Sequence, residues 1–463
     1  MGLQQTKLYP PSDAIADDPT AISLGDVEDF QNIFESDPRN RLASNVLVEN
    51  PMVPTLENRK AVLDLPHVFS EKLELEGKVT NQKKSGRCWI FAGLNALRIP
   101  MLAEYKVEDL ELSQPYVFFF DKLEKSNWFL ESMIELRDKP VDDRTVSFLL
   151  SDPAQDGGQW DMFVALVEKY GVVPKRFYPE SYHTSNTNEL NRLVKKKLRD
   201  YAMELRQYAA EHPEATVEDL RTQKSGMLQQ IYKFLAITMG EPPKSFDWNY
   251  RDKDGAYHSH SNLTPLQFYR EHVKVHLPDY VSIVNDPRNE YRQTYTVEYL
   301  GNVKGGPMIR HLNLDVEHLK QFAADAIKSG KPVWFGCDVG QFLARRSGLL
   351  DPEAIDYHSA FGVEFTMNKA QRLEYRESLM THAMMLSGVH LDDAGKPIRW
   401  RIENSWGEDH GEKGFLCMSD QWFEEYLYQI VVNKHDLPED IVELLDKEPV
   451  VLPPWDPMGS LAN

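Results

Sequence analysis

The chain has 463 residues, enough for about three average domains, and its 52 basic against 72 acidic residues leave a net charge of −20. So acidic a surface favours solubility and gives no bulk attraction for nucleic acid. Only three cysteines occur, an odd and sparse count that suits a reducing compartment and provides no disulfide framework.

Residues 1–25 are polar, without the apolar core of a signal peptide. No uninterrupted apolar run approaches the ~18 residues of a membrane span, so no membrane partner is expected. Met1-Gly2-Leu3-Gln4-Gln5-Thr6 fits the loose N-myristoylation pattern. No polybasic stretch follows it, and one acyl chain anchors only marginally. The cytoplasm is the expected location. Residues 1–60 mix prolines, acidic residues and short apolar patches such as Val27 to Phe34, the composition of an arm that packs on a body.

From Cys88 to Tyr105 the apolar Trp89, Ile90, Leu94 and Leu97 recur at near-helical spacing, which predicts a helix kinked at Pro100. Leu112-Ser113-Gln114-Pro115 opens a second helix, with Ser113 as cap and Pro115 in the first turn. Gly157-Gly158-Gln159-Trp160 precedes a third, which Gly171 stops. Residues 186–240 are charged and helical, and residues 245–310 read as mixed strands and loops. A helix over Val316–Ser329 ends at Gly330, and a strand Pro332–Cys337 follows. His382 to Leu391 and Ile398 to Ile402 alternate as half-buried strands around the turn at Asp392–Gly395. Gly414 to Met418 is a further strand, and a helix is expected near Gln421–Val431. The class is α+β, with helices early and an antiparallel sheet late.

Chemistry concentrates at three places. Cys88 opens a helix, where the positive end of the dipole favours thiolate over thiol. Its own amide and the side chain of Gln82 are donors for a developing oxyanion. His382 supplies a base, and Asn404, just before Ser405-Trp406-Gly407, supplies a group to orient the imidazole. Cysteine, histidine and asparagine in that chain order form a papain-type constellation. Each residue alone has a plainer reading: a buried small hydrophobe for Cys88, a core histidine for His382, a turn residue for Asn404, core for Trp406. Catalysis explains them together. No metal or cofactor is expected. Cys337 and Cys417 are expected in the core.

Gln82 six residues before Cys88, the Cys88-Trp89 pair and Asn404-Ser405-Trp406-Gly407 resemble the papain superfamily of cysteine peptidases. Gly157-Gly158 resembles the stretch whose backbone binds extended substrate there by strand addition. The chain departs from secreted relatives in reading Ser85-Gly86-Arg87-Cys88-Trp89, without their disulfide-forming cysteine. His382 also follows Cys88 by 294 residues (382 minus 88), against about 130–150 in papain-like enzymes. With the ending Leu452-Pro453-Pro454-Trp455 through Ala462-Asn463, the whole resembles the bleomycin hydrolase family of papain-like aminopeptidases, whose bacterial relatives include aminopeptidase C.

That resemblance implies a papain-like fold with a helical left half and an antiparallel β-sheet right half. It divides the chain into an N-terminal arm (1–65), a left half with the nucleophile helix (66–185), a large insertion (186–310), a right half with histidine and asparagine (311–435) and a C-terminal arm (436–463). It implies a homohexamer with inward-facing sites, and an arm whose end lies in the cleft, so that Ala462 and Asn463, with Gly157, Gly158 and Trp406, contact substrate. A carboxylate there would pair with a substrate α-ammonium and restrict cleavage to one residue from a free N-terminus. Relatives trim their last residue, which here would remove Asn463. The implied activity is broad aminopeptidase cleavage of peptides, with hydrolysis of bleomycin and of homocysteine thiolactone. Two alternatives remain: an endopeptidase with a mobile arm, and a single-stranded nucleic-acid-binding protein on a peptidase scaffold. For the latter the dense basic run is Lys195-Lys196-Lys197-Leu198-Arg199, which otherwise reads as a solvated helix face.

Overall fold

The computed structural model describes residues 20–462. The myristoylation pattern and Asn463 lie outside the described residues. The chain divides into two units, and the first comprises, within the described residues, 20–59 with 355–366. Its helices Leu24–Ser36 and Pro38–Leu47 bury no residue. A reciprocal Ser23–Asp26 capping box starts the first of them.

The second unit, 60–354 with 367–462, carries all the chemistry. Its first helix, α1 (Cys88–Glu104), is buried on nearly every side, as a central helix must be. Pro100 lies on an exposed position within α1, and the helix continues past it. In α2 (Gln114–Glu135), Ser113 accepts the Tyr116 amide at 3.2 Å, the cap its sequence announces. Gly171, at φ 73°, stops α3 (Trp160–Tyr170). A Cβ there would sit 2.2 Å from the Pro265 carbonyl oxygen, so only glycine fits. The charged stretch forms α4 (Asn188–Glu211) and α5 (Val217–Met239), which pack on α2. Residues Phe246–Arg251 and Tyr257–Leu263 make a separate two-stranded ribbon.

The remaining chain builds a large sheet. Its centre consists of β1 (Tyr280–Val284), β2 (Val333–Cys337), β3 (His382–Leu391), β4 (Pro397–Glu403), β5 (Phe415–Ser419) and β6 (Leu427–Asn433), in the order β1-β6-β2-β3-β4-β5. These neighbours are all antiparallel. Parallel pairs occur only outward of that centre, as where His311–Asn313 joins β1. Two further helices, α6 (Val316–Lys328) and α7 (Asp420–Tyr426), pack against the sheet over a core that includes Phe335, Trp400 and Trp422.

One expectation is corrected here. The helix expected over Gln421–Val431 ends at Tyr426, and the chain continues as β6. Leu427 to Val432 is buried on both faces because β6 is a central strand, paired with β1 and β2. A short run buried on both sides carries no period that distinguishes strand from helix. Among the described residues, no helix is long and apolar enough to cross a membrane.

Candidate active site

Helix α1 packs against α2 and α3 and, across the junction of the two halves, against β2 and β3. That places its first residue, Cys88, at the edge of the sheet. The turn before it is clamped by buried polar groups. The Arg87 guanidinium, fully buried, donates to Ser85 Oγ at 2.9 Å and to Glu180 at 3.3 Å, and lies 5.2 Å and 5.4 Å from the centres of the Phe91 and Phe118 rings. Asp156 accepts the Gly86 amide at 3.2 Å and pairs with Lys122 Nζ at 2.7 Å, while its carbonyl accepts Trp89 Nε1 at 2.8 Å. Arg87 makes no side-chain cap, and the Ile90 and Phe91 amides donate to the Arg87 carbonyl at 3.0 Å, which leaves the Cys88 and Trp89 amides at the start of α1 for an anion.

His382 starts β3, directly opposite Cys337 of β2. Asn404 follows the last residue of β4, and the antiparallel register brings the start of β3 to the end of β4. His382 Nε2 therefore lies 3.0 Å from Asn404 Oδ1. The next amide, Ala383 N–H, donates to Cys88 Sγ at 3.4 Å. Cysteine, histidine and asparagine thus converge from one helix and two strands. Trp406 sits with its ring 5.1 Å from that of His382, at an interplanar angle of 37°. Gln82 is buried and its amide orientation is fixed: Ser405 Oγ donates to Oε1 at 2.6 Å, and Nε2 donates to the Ser85 carbonyl at 2.5 Å, leaving one N–H to spare.

Of the glycine pair, Gly158 is the one that meets the C-terminal segment. Gly158 N–H donates to the Ala462 carbonyl at 3.0 Å and Ala462 N–H donates back at 3.2 Å. Gly157 instead gives its carbonyl to Lys125 Nζ at 2.6 Å. A Cβ on Gly158 would lie 2.4 Å from the Trp89 indole, so glycine is needed for the approach. Gln159 Nε2 donates to the Ser460 carbonyl at 2.7 Å, and Ser460 Oγ donates to the Met380 carbonyl at 2.8 Å. The segment thereby bonds both halves of the second unit, and Ala462 is wholly buried.

This closed site favours uncharged groups. Burial pushes the Cys88 thiol up to about 12, against the Ala383 and Trp89 amides and its own, which favour thiolate. Burial also pushes His382 down to about 4, against the Asn404 bond. The helix start alone suggested a thiolate; desolvation outweighs the dipole here. An imidazolium beside a thiolate would offset part of the desolvation cost of each.

A family model described as "Peptidase C1-like family" matches residues 21–459. The chain belongs to that family. It is 46% identical over 440 residues to bleomycin hydrolase of Mus musculus, covering 93% of this chain and 96% of that one. It is 46% identical to aminopeptidase C of Streptococcus thermophilus, covering 96% and 100%. The crystal structure of PepW from Lactobacillus rhamnosis matches with a TM-score of 0.93 at 47% identity, over 96% of this chain and 100% of that one. The fold is accordingly the α+β fold of papain-like peptidases, and the enzyme class is cysteine aminopeptidase.

Sequence reasoning missed several residues that hold this Peptidase C1-like site. Lys122 and Asp156 form a buried ion pair beneath the turn that carries Cys88, and Glu403 accepts from Arg98 of α1 at 2.6 Å and from Asn95 at 2.8 Å. The signal for Lys122 is a cluster of charges, Asp121, Lys122 and Lys125, directly after the apolar run Tyr116 to Phe120 of the same helix. Asp156 and Glu403 had no signal beyond adjacency to Gly157 and Asn404.

Proposed function

We propose that this chain removes single residues from the free N-termini of peptides, with broad specificity, through a Cys88–His382–Asn404 thioester mechanism. The supporting observation is the two-way backbone pairing of Ala462 with Gly158, which fills the strand position that an extended peptide would need. A substrate can then place only its first residue between that segment and Cys88. A carboxylate following Ala462 would meet its α-ammonium in a water-poor cleft.

In the reaction, Cys88 passes its proton to His382 and attacks the carbonyl carbon as thiolate. The Cys88 amide and the spare N–H of Gln82 stabilise the tetrahedral oxyanion. His382 protonates the departing amine, then takes a proton from the water that hydrolyses the thioester. Asn404 Oδ1 holds the ring tautomer throughout. The relatives' names add bleomycin to the proposed substrates. Homocysteine thiolactone, a cytoplasmic location and assembly as a homohexamer belong to the same reading.

Deleting residues 457–463 tests it. The truncated enzyme should cleave N-acetylated peptides internally while the intact enzyme does not. Equal cleavage of blocked peptides by both forms would remove the segment from specificity. Sedimentation of the intact chain at the monomer mass would refute the hexamer.

A further inference from the structure

Beside the catalytic turn lies a cavity of about 640 Å³ that the mechanism above leaves unused. One wall is Lys84 to Gly86, ending two residues before Cys88, and another is Gln155 and Asp156, which lead to Gly158. The third is the N-terminal half of α4. The walls are bonded to one another. The Lys84 amide donates to the Ser185 carbonyl at 3.0 Å, and the Thr187 amide donates to the Lys84 carbonyl at 3.2 Å. Thr187 Oγ1 donates to Asp156 at 2.5 Å, and so does not cap α4.

The cavity's charge is opposite in sign to that of the chain. Among the described residues its one lining carboxylate is Asp156, already matched by Lys122. Five basic side chains face it. Lys195 pairs with Asp152 at 2.5 Å, and Arg199 donates to the Leu150 and Ser151 carbonyls at 2.8 Å. Lys84, Arg192 and Lys196 have no side-chain partner among the described residues. Lys197, in the same run but outside the cavity, is paired with Asp200 and Glu204. A merely solvated helix face would have left the unpaired lysines scattered. Here they line one concavity next to the nucleophile, under the positive end of α4.

We propose that this cavity receives the side chain of the substrate's first residue and, within a broad specificity, favours an anionic one, aspartate or glutamate. The inference rests on the aminopeptidase reading: with Ala462 on Gly158, the first residue lies between Gly158 and Cys88, and the cavity is lined by Asp156 and Gly86, which stand two residues before each of these. Lys84, Arg192 and Lys196 are exposed, so the preference is a screened one that falls as salt rises.

The test compares kcat/KM for fluorogenic amides of glutamate, glutamine and alanine, glutamine being the uncharged isostere. Glutamate should exceed glutamine by roughly fivefold at low salt, as a few solvent-screened ion pairs allow. The ratio should fall towards one in the variant Lys84→Gln/Arg192→Gln/Lys196→Gln and persist in Lys84→Arg/Lys196→Arg. Arg192→Glu/Lys196→Glu should favour a lysine amide over glutamine instead. Equal glutamate and glutamine rates alongside ready cleavage of the alanine amide would overturn the subsite and leave the aminopeptidase reading standing. So would a ratio unchanged in the triple variant. Failure to cleave any of the three free-amine substrates would overturn the aminopeptidase reading itself.

Discussion

Lys122 and Asp156, buried beneath the turn that carries Cys88, differ in kind from what lies behind His382. Cys88 is placed by ions and hydrogen bonds: Asp156 holds Gly86, Arg87 holds Ser85 and Glu180, and each is almost wholly removed from water. The histidine and asparagine are placed by strand register, with His382 opposite Cys337 and an apolar core of Phe335, Met384 and Trp400 behind the sheet. Register is set by many weak contacts and tolerates the loss of one. A buried ion network must be fully paired, and is costly when one member is lost. The nucleophile side is therefore the brittle side.

The largest effect on function is expected at the nucleophile itself. Cys88→Ala should abolish turnover while the thermal midpoint stays near that of the parent, because a small side chain replaces a small one in the same cavity. Retained turnover would remove Cys88 from the chemistry. Next comes the network under it. Lys122→Met leaves Asp156 a buried unpaired charge and should cost about 3–5 kcal/mol in urea unfolding. A loss no larger than that of a surface lysine would show that the ion pair does not organise the turn. On the register side, Asn404→Ala should lower kcat by roughly a hundredfold through misoriented imidazole, with KM little changed. An unaltered kcat would take Asn404 out of the site.

Two smaller effects sharpen the contrast. Gly158→Ala drives a Cβ into the Trp89 indole and should cost about 1–3 kcal/mol, loosening the Ala462 pairing as well. Unchanged stability and unchanged rejection of blocked peptides would mean that the close approach is dispensable. Burial pushes Asp156 up, but Lys122, Thr187 and the Gly86 amide outweigh it and hold the carboxyl well below its ordinary 3.8. The stability this adds is complete above the unfolded value of 3.8 and is lost as pH falls through the folded value. Asp156→Asn should flatten the fall of unfolding free energy below about pH 4, where an unchanged slope would deny Asp156 that role.

The same division decided what the sequence disclosed. Cys88, His382 and Asn404 were legible because their types and chain order point to one chemistry, and β3 and β4 because alternation is a periodic signal. β6 was not, since burial on both faces erases the period, and it read as the end of α7. Lys122, Asp156 and Glu403 were not legible because their partners lie far apart in the chain: 34 residues separate the first two, and Glu403 meets Arg98 across 305. Nothing local announces such a pair. The C-terminal segment was anticipated by resemblance, whereas its anchors Gln159 and Ser460 emerge only from the packing.

The central claim is that Cys88 chemistry is restricted to free N-termini by the segment paired with Gly158. Its most direct test measures kcat/KM for one aminoacyl fluorogenic amide and for its N-acetylated twin on the intact chain. Rapid release from the free amine with none from the acetylated form is the predicted result. Equal rates would leave the papain-like mechanism in place and contradict the claim, since the segment that carries Ala462 would then have to leave the cleft during turnover.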